Sequence, residues 1–258
     1  MGQRLRERVI LLTGASHGIG EALAWGLARE GAELAIVSRT SSEIEALGAQ
    51  LRSLGQDVLP IAADVSSRPA VEEMARKALA HFGRVDVLVH GAGVQGAAGP
   101  VWEVDPDAWH QTMEITLWGT FLCCRSGLPA MIARRRGAII NISSGAGHSP
   151  MAYYSAYSAS KAGVTHFTRV LAEEARPYGI NVNAIGVWGV SRLWDEVADA
   201  GEAGGATSRH IREMLDAGIR PCAEENVPLV VFLASEAARH ITGQYIEANS
   251  LPECMLRG

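Results

Sequence analysis

Val9-Ile10-Leu11-Leu12-Thr13-Gly14-Ala15-Ser16-His17-Gly18-Ile19-Gly20 is the stretch that decides the fold. Its first four residues are apolar without alternation, as expected of a strand covered on both faces. Glycines follow at once, and behind them Ile19, Leu23, Gly26 and Leu27 recur at helical spacing, with Gly31 placed to end the helix. Glycine at a strand–helix junction lets the backbone turn tightly and approach a ligand, and a helix N-terminus offers free N–H groups to an anion. The spacing is G-x-x-x-G-x-G rather than G-x-G-x-x-G. A strand before it and a helix after it favour a phosphate cradle over a plain turn.

The same alternation continues outward. Leu34 to Val37, Val85 to Val89, Ile139-Ile140 and Ile180 to Ile185 read as strands. Ser42 to Leu54, Val71 to Phe82, Ala108 to Ala133 and Tyr157 to Tyr178 read as helices. Strand–helix repetition of this kind implies an α/β protein, a doubly wound parallel sheet of about seven strands with helices on both faces. No linker divides the chain, so one domain over residues 1–258 is expected. Only 190–219 breaks the pattern, with the small, polar run Ala198 to Ala206 between two weak helical patterns. An insertion of that length in a compact domain reads as a mobile substrate lid.

Bulk properties narrow the function. Of 258 residues 48% are hydrophobic, enough for a large core, and the net charge of −5 argues against nucleic acid as a partner. No run approaches the roughly 20 apolar residues of a membrane span, and the start of the chain lacks the apolar stretch of a signal peptide. Gly2 is not followed by the Ser or Thr that myristoylation needs, because Arg6 stands there. Cys123, Cys124, Cys222 and Cys254 have no metal-ligand spacing and read as core thiols, so no metal and a cytoplasmic location are expected. Arg134-Arg135-Arg136 reads as a solvated helix end.

Two further stretches carry chemistry. In Ser143 to Lys161, Tyr157 and Lys161 are four apart and share a helix face, with Ser144 upstream. A nearby ammonium favours a phenolate, so Lys161 is expected to bring Tyr157 down from about 10 toward working pH and make it an acid/base. At the end of the second strand stands Ser38-Arg39-Thr40, with no carboxylate for the ribose hydroxyls of NAD(H). Arg39 instead suits a 2′-phosphate, which favours NADP(H) over NAD(H).

The glycine pattern, the Ser144…Tyr157-x-x-x-Lys161 constellation and the chain length together resemble the short-chain dehydrogenase/reductase (SDR) family, over nearly the whole chain. The resemblance implies a Rossmann-type fold and an NADP(H)-dependent carbonyl reductase or alcohol dehydrogenase moving a hydride between nicotinamide and a secondary alcohol or ketone. In that family pattern Tyr157 is the acid/base, Lys161 binds the nicotinamide ribose and lowers the tyrosine pKa, and Ser144 polarises the substrate oxygen. Asp64 falls where the family contacts the adenine, and Ile241-Thr242-Gly243-Gln244 resembles its approach to the last strand. Cofactor contacts are then expected at Gly14, Ser16, His17, Gly18, Ile19, Gly20, Arg39, Asp64, Val65, Gly91, Ala92, Gly93, Tyr157, Lys161, Val187 and Val190. Three positions depart from the pattern. Asn-Asn-Ala-Gly stands as His90-Gly91-Ala92-Gly93, Thr116 replaces the asparagine that holds a water in the proton relay, and Val187-Trp188 replaces Pro-Gly.

Substrate contacts are expected from Val94, Gln95, His148, Met151, Tyr153, Trp188 and Trp194, in loops at the carboxyl ends of the strands, and suit an apolar or aromatic alcohol or ketone. The family resemblance also suggests that small residues of the long helices, among them Ala159, Ala162 and Gly163, pack between subunits of a homotetramer or homodimer. Two alternatives stand beside this reading, a nucleotide-binding regulator with impaired catalysis and a non-redox lyase or isomerase on the same fold.

Overall fold

The computed structural model describes residues 3–189 and 192–248, except the side chain of residue 192. Among them seven strands form one parallel sheet in the order β3-β2-β1-β4-β5-β6-β7. The strands are β1 Val9–Thr13, β2 Glu33–Ser38, β3 Val58–Ala62, β4 Val87–His90, β5 Gly137–Ser143, β6 Ile180–Gly186 and β7 Tyr245–Glu247. The order reverses between β1 and β4, which opens a crevice at their carboxyl ends, the position where open sheets of this kind bind ligands.

Helices cover both faces. α1 (Gly18–Arg29), α2 (Ser41–Arg52) and α9 (Val227–Ala234) pack their apolar stripes, Leu23 and Leu27, Ile44 and Leu51, Leu229 and Val230, against Ile10, Leu12 and Val89. α3 (Arg68–Phe82), α5 (Gly119–Arg134) and α6 (Ser155–Ala175) bring Met74, Leu122 and Leu171 onto Leu11, Leu88 and Val182. Residues one apart in a strand therefore serve opposite layers, which is why the strands are apolar throughout. Each fully buried Leu, Ile or Val here contributes about 1.5–3 kcal/mol. The helices of the first face approach closely: a Cβ on Gly26 would collide with Val227 of α9.

β3 escapes a search for apolar runs because Pro60 sits in its middle, paired with Ile36. A proline cannot donate to a ladder, and it is tolerated because β3 is the outer strand. Arg134-Arg135-Arg136 is more than a solvated helix end. Arg134 donates to Asp86 at 2.9 Å, Arg84 donates to the same carboxylate at 3.1 Å, and Val9 N–H does so at 2.9 Å. Burial alone would raise the Asp86 carboxyl, yet these donors hold it below its ordinary range.

α4 (Pro106–Met113) runs through a π-helical turn, Glu114–Trp118, into α5 without a break. The whole rod, Pro106–Arg134, is long and apolar enough to cross a membrane by length and composition, which a search for unbroken apolar runs does not reveal. Half of its most apolar window is buried inside the protein, and Cys123 and Cys124 face the core. Cys222, expected in the core, is exposed and its thiol donates to Glu224 at 2.6 Å. Cys254 lies outside the described residues.

Between β6 and α9 the irregular stretch is folded as α7 (Arg192–Asp199) and α8 (Gly205–Asp216), joined by a short 3-10 turn. Tyr154 ties this pair to the start of α6. Its phenol is buried, hydrogen-bonds Ser208 at 3.0 Å and donates to the carbonyl of Val197 at 3.4 Å.

Candidate active site

The crevice at the β1/β4 reversal is lined by the glycine turn, by the end of β2 and by the loop after β4. Its volume is about 230 Å³, and Gly14, Ser16, His17, Ile19 and Gly20 form one wall. Gly14 holds φ +71°, and a Cβ there would stand 2.7 Å from Ala92 N, so the turn and the loop after β4 touch backbone to backbone. His17 precedes α1 without a side-chain cap, and its Nε2 lies 2.8 Å from Glu43 of α2. Helix N–H groups at that end therefore face the crevice uncapped, the arrangement that receives phosphate. Arg39 and Thr40 line the crevice where β2 ends, and Ala63 and Val65 line it beyond β3. Asp64, expected at the adenine, stands between those two residues, and its Oδ1 accepts from the N–H and the hydroxyl of Ser66 at 2.9 and 2.7 Å. Such a side-chain turn orders the loop and leaves the lining to the neighbours. Val190 lies outside the described residues.

A second cavity of about 360 Å³ joins the first, and Tyr157 lines both. Helical spacing places Tyr157 and Lys161 on one face of α6, with 9% and 5% of their surfaces exposed. Lys161 Nζ donates to the carbonyl of Ile142 at 2.8 Å. Ser143 donates to Lys161 O at 3.0 Å and meets Thr165 at 2.8 Å, which pins α6 to the end of β5. Ser144 follows, starts a short turn by accepting from Ala146 N–H at 3.2 Å, and lines the second cavity together with Tyr157.

The electrostatics differ from the expectation. Burial pushes the Tyr157 phenol above its ordinary value, against the hydrogen bond from Ser144, which pulls it down. Burial also lowers Lys161 to about 8. Its ammonium is 5.7 Å from the centre of the Tyr157 ring and is spent on a carbonyl, so desolvation of the phenol wins.

His90 and Thr116 give the sequence departures a physical form. His90 is 1% exposed, and its Nδ1 lies 2.9 Å from Thr13 Oγ1. That oxygen already accepts from Gly91 and Ala92 N–H at 3.2 and 3.4 Å, so its proton goes to Nδ1 and the imidazole carries its own on Nε2. Nε2 has no hydrogen-bond partner among the described residues. Burial, then the charge of Lys161, lowers this histidine to about 3. Thr116 sits in the π-helical turn, a distortion frequent at functional sites, and its hydroxyl accepts from Val94 N–H at 3.4 Å. Its carbonyl takes the Thr120 hydroxyl at 2.6 Å.

Of the residues expected at substrate, Gln95, Met151, Trp188 and Trp194 line the second cavity, the two indoles edge to face at 5.2 Å. Val94 lines the first cavity. His148 lies outside the lining of both and packs its ring on Tyr245 at 4.0 Å. Tyr153, at φ +70°, packs its ring against Gly205 and accepts from Gly99 N–H at 2.8 Å instead of lining either cavity. Asn226, not anticipated, clamps the Trp188 backbone: its amide donates to Trp188 O at 2.6 Å and its oxygen accepts from Trp188 N–H at 3.0 Å. Leu193, Val197, Ile211 and Glu247 complete the wall. They sit in α7, α8 and the short β7, where no motif marks them.

The family model of the short chain dehydrogenases matches residues 8–192, and the chain belongs to that family, oxidoreductases that act on alcohols and ketones. The relatives it resembles include cis-4-hydroxycyclohexanecarboxylate dehydrogenase of Sinomonas cyclohexanicum, 36% identical over 244 residues that cover 94% of this chain and 95% of that protein. D-threitol dehydrogenase of Mycolicibacterium smegmatis is 37% identical over 240 residues, 93% of this chain and 90% of that one. Among solved structures, NAD+-bound xylitol dehydrogenase superposes with a TM-score of 0.85 at 27% identity, covering 94% of this chain and 98% of that one.

Proposed function

We propose that the chain is an NADP(H)-dependent carbonyl reductase or alcohol dehydrogenase in which Tyr157 exchanges a proton with the substrate oxygen. The observation that carries this reading is the place of Tyr157, which lines both cavities and shares the second with Ser144. The uncapped start of α1, Arg39 at the end of β2 and the backbone-to-backbone glycine turn fit a dinucleotide phosphate chain, with Arg39 toward a 2′-phosphate. When bound, the nicotinamide supplies or takes up the hydride.

The chain's own groups do the rest. Ser144 donates to the substrate oxygen as charge builds there, and Tyr157 delivers the proton. Burial keeps the Tyr157 phenol protonated at neutral pH, the form that gives up its proton when a ketone is reduced. Lys161 stands beside it, fixed by Ile142 O. Trp188, Trp194, Met151 and Leu193 exclude water from the reacting carbon and suit an apolar alcohol or ketone.

The same reading takes the chain as one domain with 190–219 as the substrate lid and the cytoplasm as its location. The exposed face of Trp118, with Phe121 stacked against it and Phe167 edge-on to Phe121, meets a second copy in a homotetramer or homodimer. The test is consumption of NADPH and NADH with a panel of cyclic and open-chain ketones. NADPH oxidation dependent on an apolar ketone is expected. Binding of NADPH without oxidation across the whole panel would contradict the proposal.

A further inference from the structure

Opposite the crevice, at the amino edge of the sheet, lies a cavity of about 520 Å³ that shares no residue with the reacting groups. Arg8 leads into β1 there, Gly137 and Ala138 open β5, Asn181 lies at the start of β6, and the ends of α5, α6 and α9 close the rim. Six arginines line it: Arg8, Arg134, Arg135, Arg136, Arg176 and Arg239. Glu236 is the one lining carboxylate among the described residues, and three guanidiniums crowd it. Arg8 and Arg136 each donate to its Oε2 at 2.7 Å, and Arg239 stands 3.5 Å from its Oε1. Outside the lining, Asp86 takes Arg134 at 2.9 Å and Glu173 takes Arg176 at 2.5 Å. Arg135, at φ +51°, donates to the carbonyl of Pro177 at 2.6 Å, so a neutral dipole fixes it and no carboxylate among the described residues pairs with it. Three carboxylates thus answer six guanidiniums, in a chain whose net charge is −5.

We propose that this cavity binds a small anion carrying two or more linked phosphates, either a free polyphosphate or the phosphate chain of a nucleotide. The unanswered positive charge is what such a chain of phosphates neutralises. A guanidinium presents five N–H donors in a planar fork that grips two phosphate oxygens at once. The contacts above take one nitrogen of each arginine, so donors remain for a ligand. Glu236 gathers Arg8, Arg136 and Arg239 around one point, which sets their forks before the anion arrives. The Arg136 and Arg239 side chains are 57% and 79% exposed, so the anion reaches them from solvent. Linked phosphates span arginines on separate elements, which a single phosphate cannot do. The sheet stands between this cavity and the crevice, so the anion and the dinucleotide are held at the same time.

The experiment is calorimetric titration of tripolyphosphate, ATP and inorganic phosphate in magnesium-free buffer, with and without NADPH. The proteins are the wild type, the double variant Arg136→Ala with Arg239→Ala, and a control that loses the same charge elsewhere, Arg68→Ala with Arg76→Ala on the exposed face of α3. Exposed ion pairs contribute little to folding, so both variants stay folded, and unchanged NADPH affinity verifies it. The wild type is expected to bind tripolyphosphate at least about tenfold more tightly than inorganic phosphate. The cavity variant is expected to lose about tenfold or more of that affinity, and the α3 control to keep it. ATP binding more tightly than tripolyphosphate identifies a nucleotide as the source of the phosphates, and the reverse order identifies a free polyphosphate. No binding, or inorganic phosphate binding as tightly as tripolyphosphate, would overturn the proposal. So would equal weakening in both variants, which is general attraction to surface cations, or an anion that NADPH displaces and the cavity variant retains, which places it in the crevice.

Discussion

Acid should weaken this fold through one residue, His90. Burial of its ring favours the neutral form, so its folded pKa of about 3 lies below the ordinary histidine value of 6.5. Between those values the unfolded chain binds a proton that the folded chain refuses, so stability rises with pH across the window and is lost as pH falls through it. At about 1.4 kcal/mol per pKa unit the full difference approaches roughly 5 kcal/mol, of which about 2 kcal/mol is lost between pH 7 and pH 5. Asp86, held below the ordinary aspartate value of 3.8, adds its own loss only in more acid solution, so the two are separable. The measurement is the urea unfolding free energy at pH 7 and pH 5 for the wild type and His90→Asn. The variant forfeits the Thr13 contact at both pH values, so its absolute stability shifts, but it cannot take up the proton. A shallower pH slope in the variant by about 2 kcal/mol over that interval is expected. Identical slopes would refute the reasoning and place the acid sensitivity elsewhere.

Tyr154→Phe removes the hydroxyl that holds Ser208 and Val197 O, leaving buried groups unpaired, and should cost about 1–3 kcal/mol. Because that bond ties α7 and α8 to the start of α6, KM is expected to rise more than kcat falls, and steady-state kinetics will read the split. Arg39→Ala should weaken NADPH by about tenfold or more, through loss of a charge-assisted contact, while leaving NADH nearly unchanged; fluorescence titration of both cofactors measures the pair.

Much of this architecture was legible in the residues because it follows from periodicity. Ile10 to Leu12, the glycine turn and the Leu23–Leu27 stripe dictate strand, crossing and helix locally, and the i, i+4 rule placed Tyr157 and Lys161 together. Where local pattern and environment part, the reading failed. Pro60 hides an outer strand because edge position is a property of the assembled sheet. The direction of the Tyr157 shift depends on how deeply the phenol is buried and on Lys161 finding Ile142 O, and spacing encodes neither. Glu247 could not be singled out, because a three-residue strand has no pattern and its neighbours in the pocket come from elements far apart in the chain.

The account stands on the Tyr157 phenol as the proton-exchanging group, and Tyr157→Phe tests it most directly. NADPH binding by the purified variant should match the wild type, while kcat for reduction of a ketone turned over by the wild type should fall by about a thousandfold or more, the loss of a positioned acid together with its hydrogen bond. A variant that binds NADPH and retains kcat within a few-fold of the wild type would contradict it.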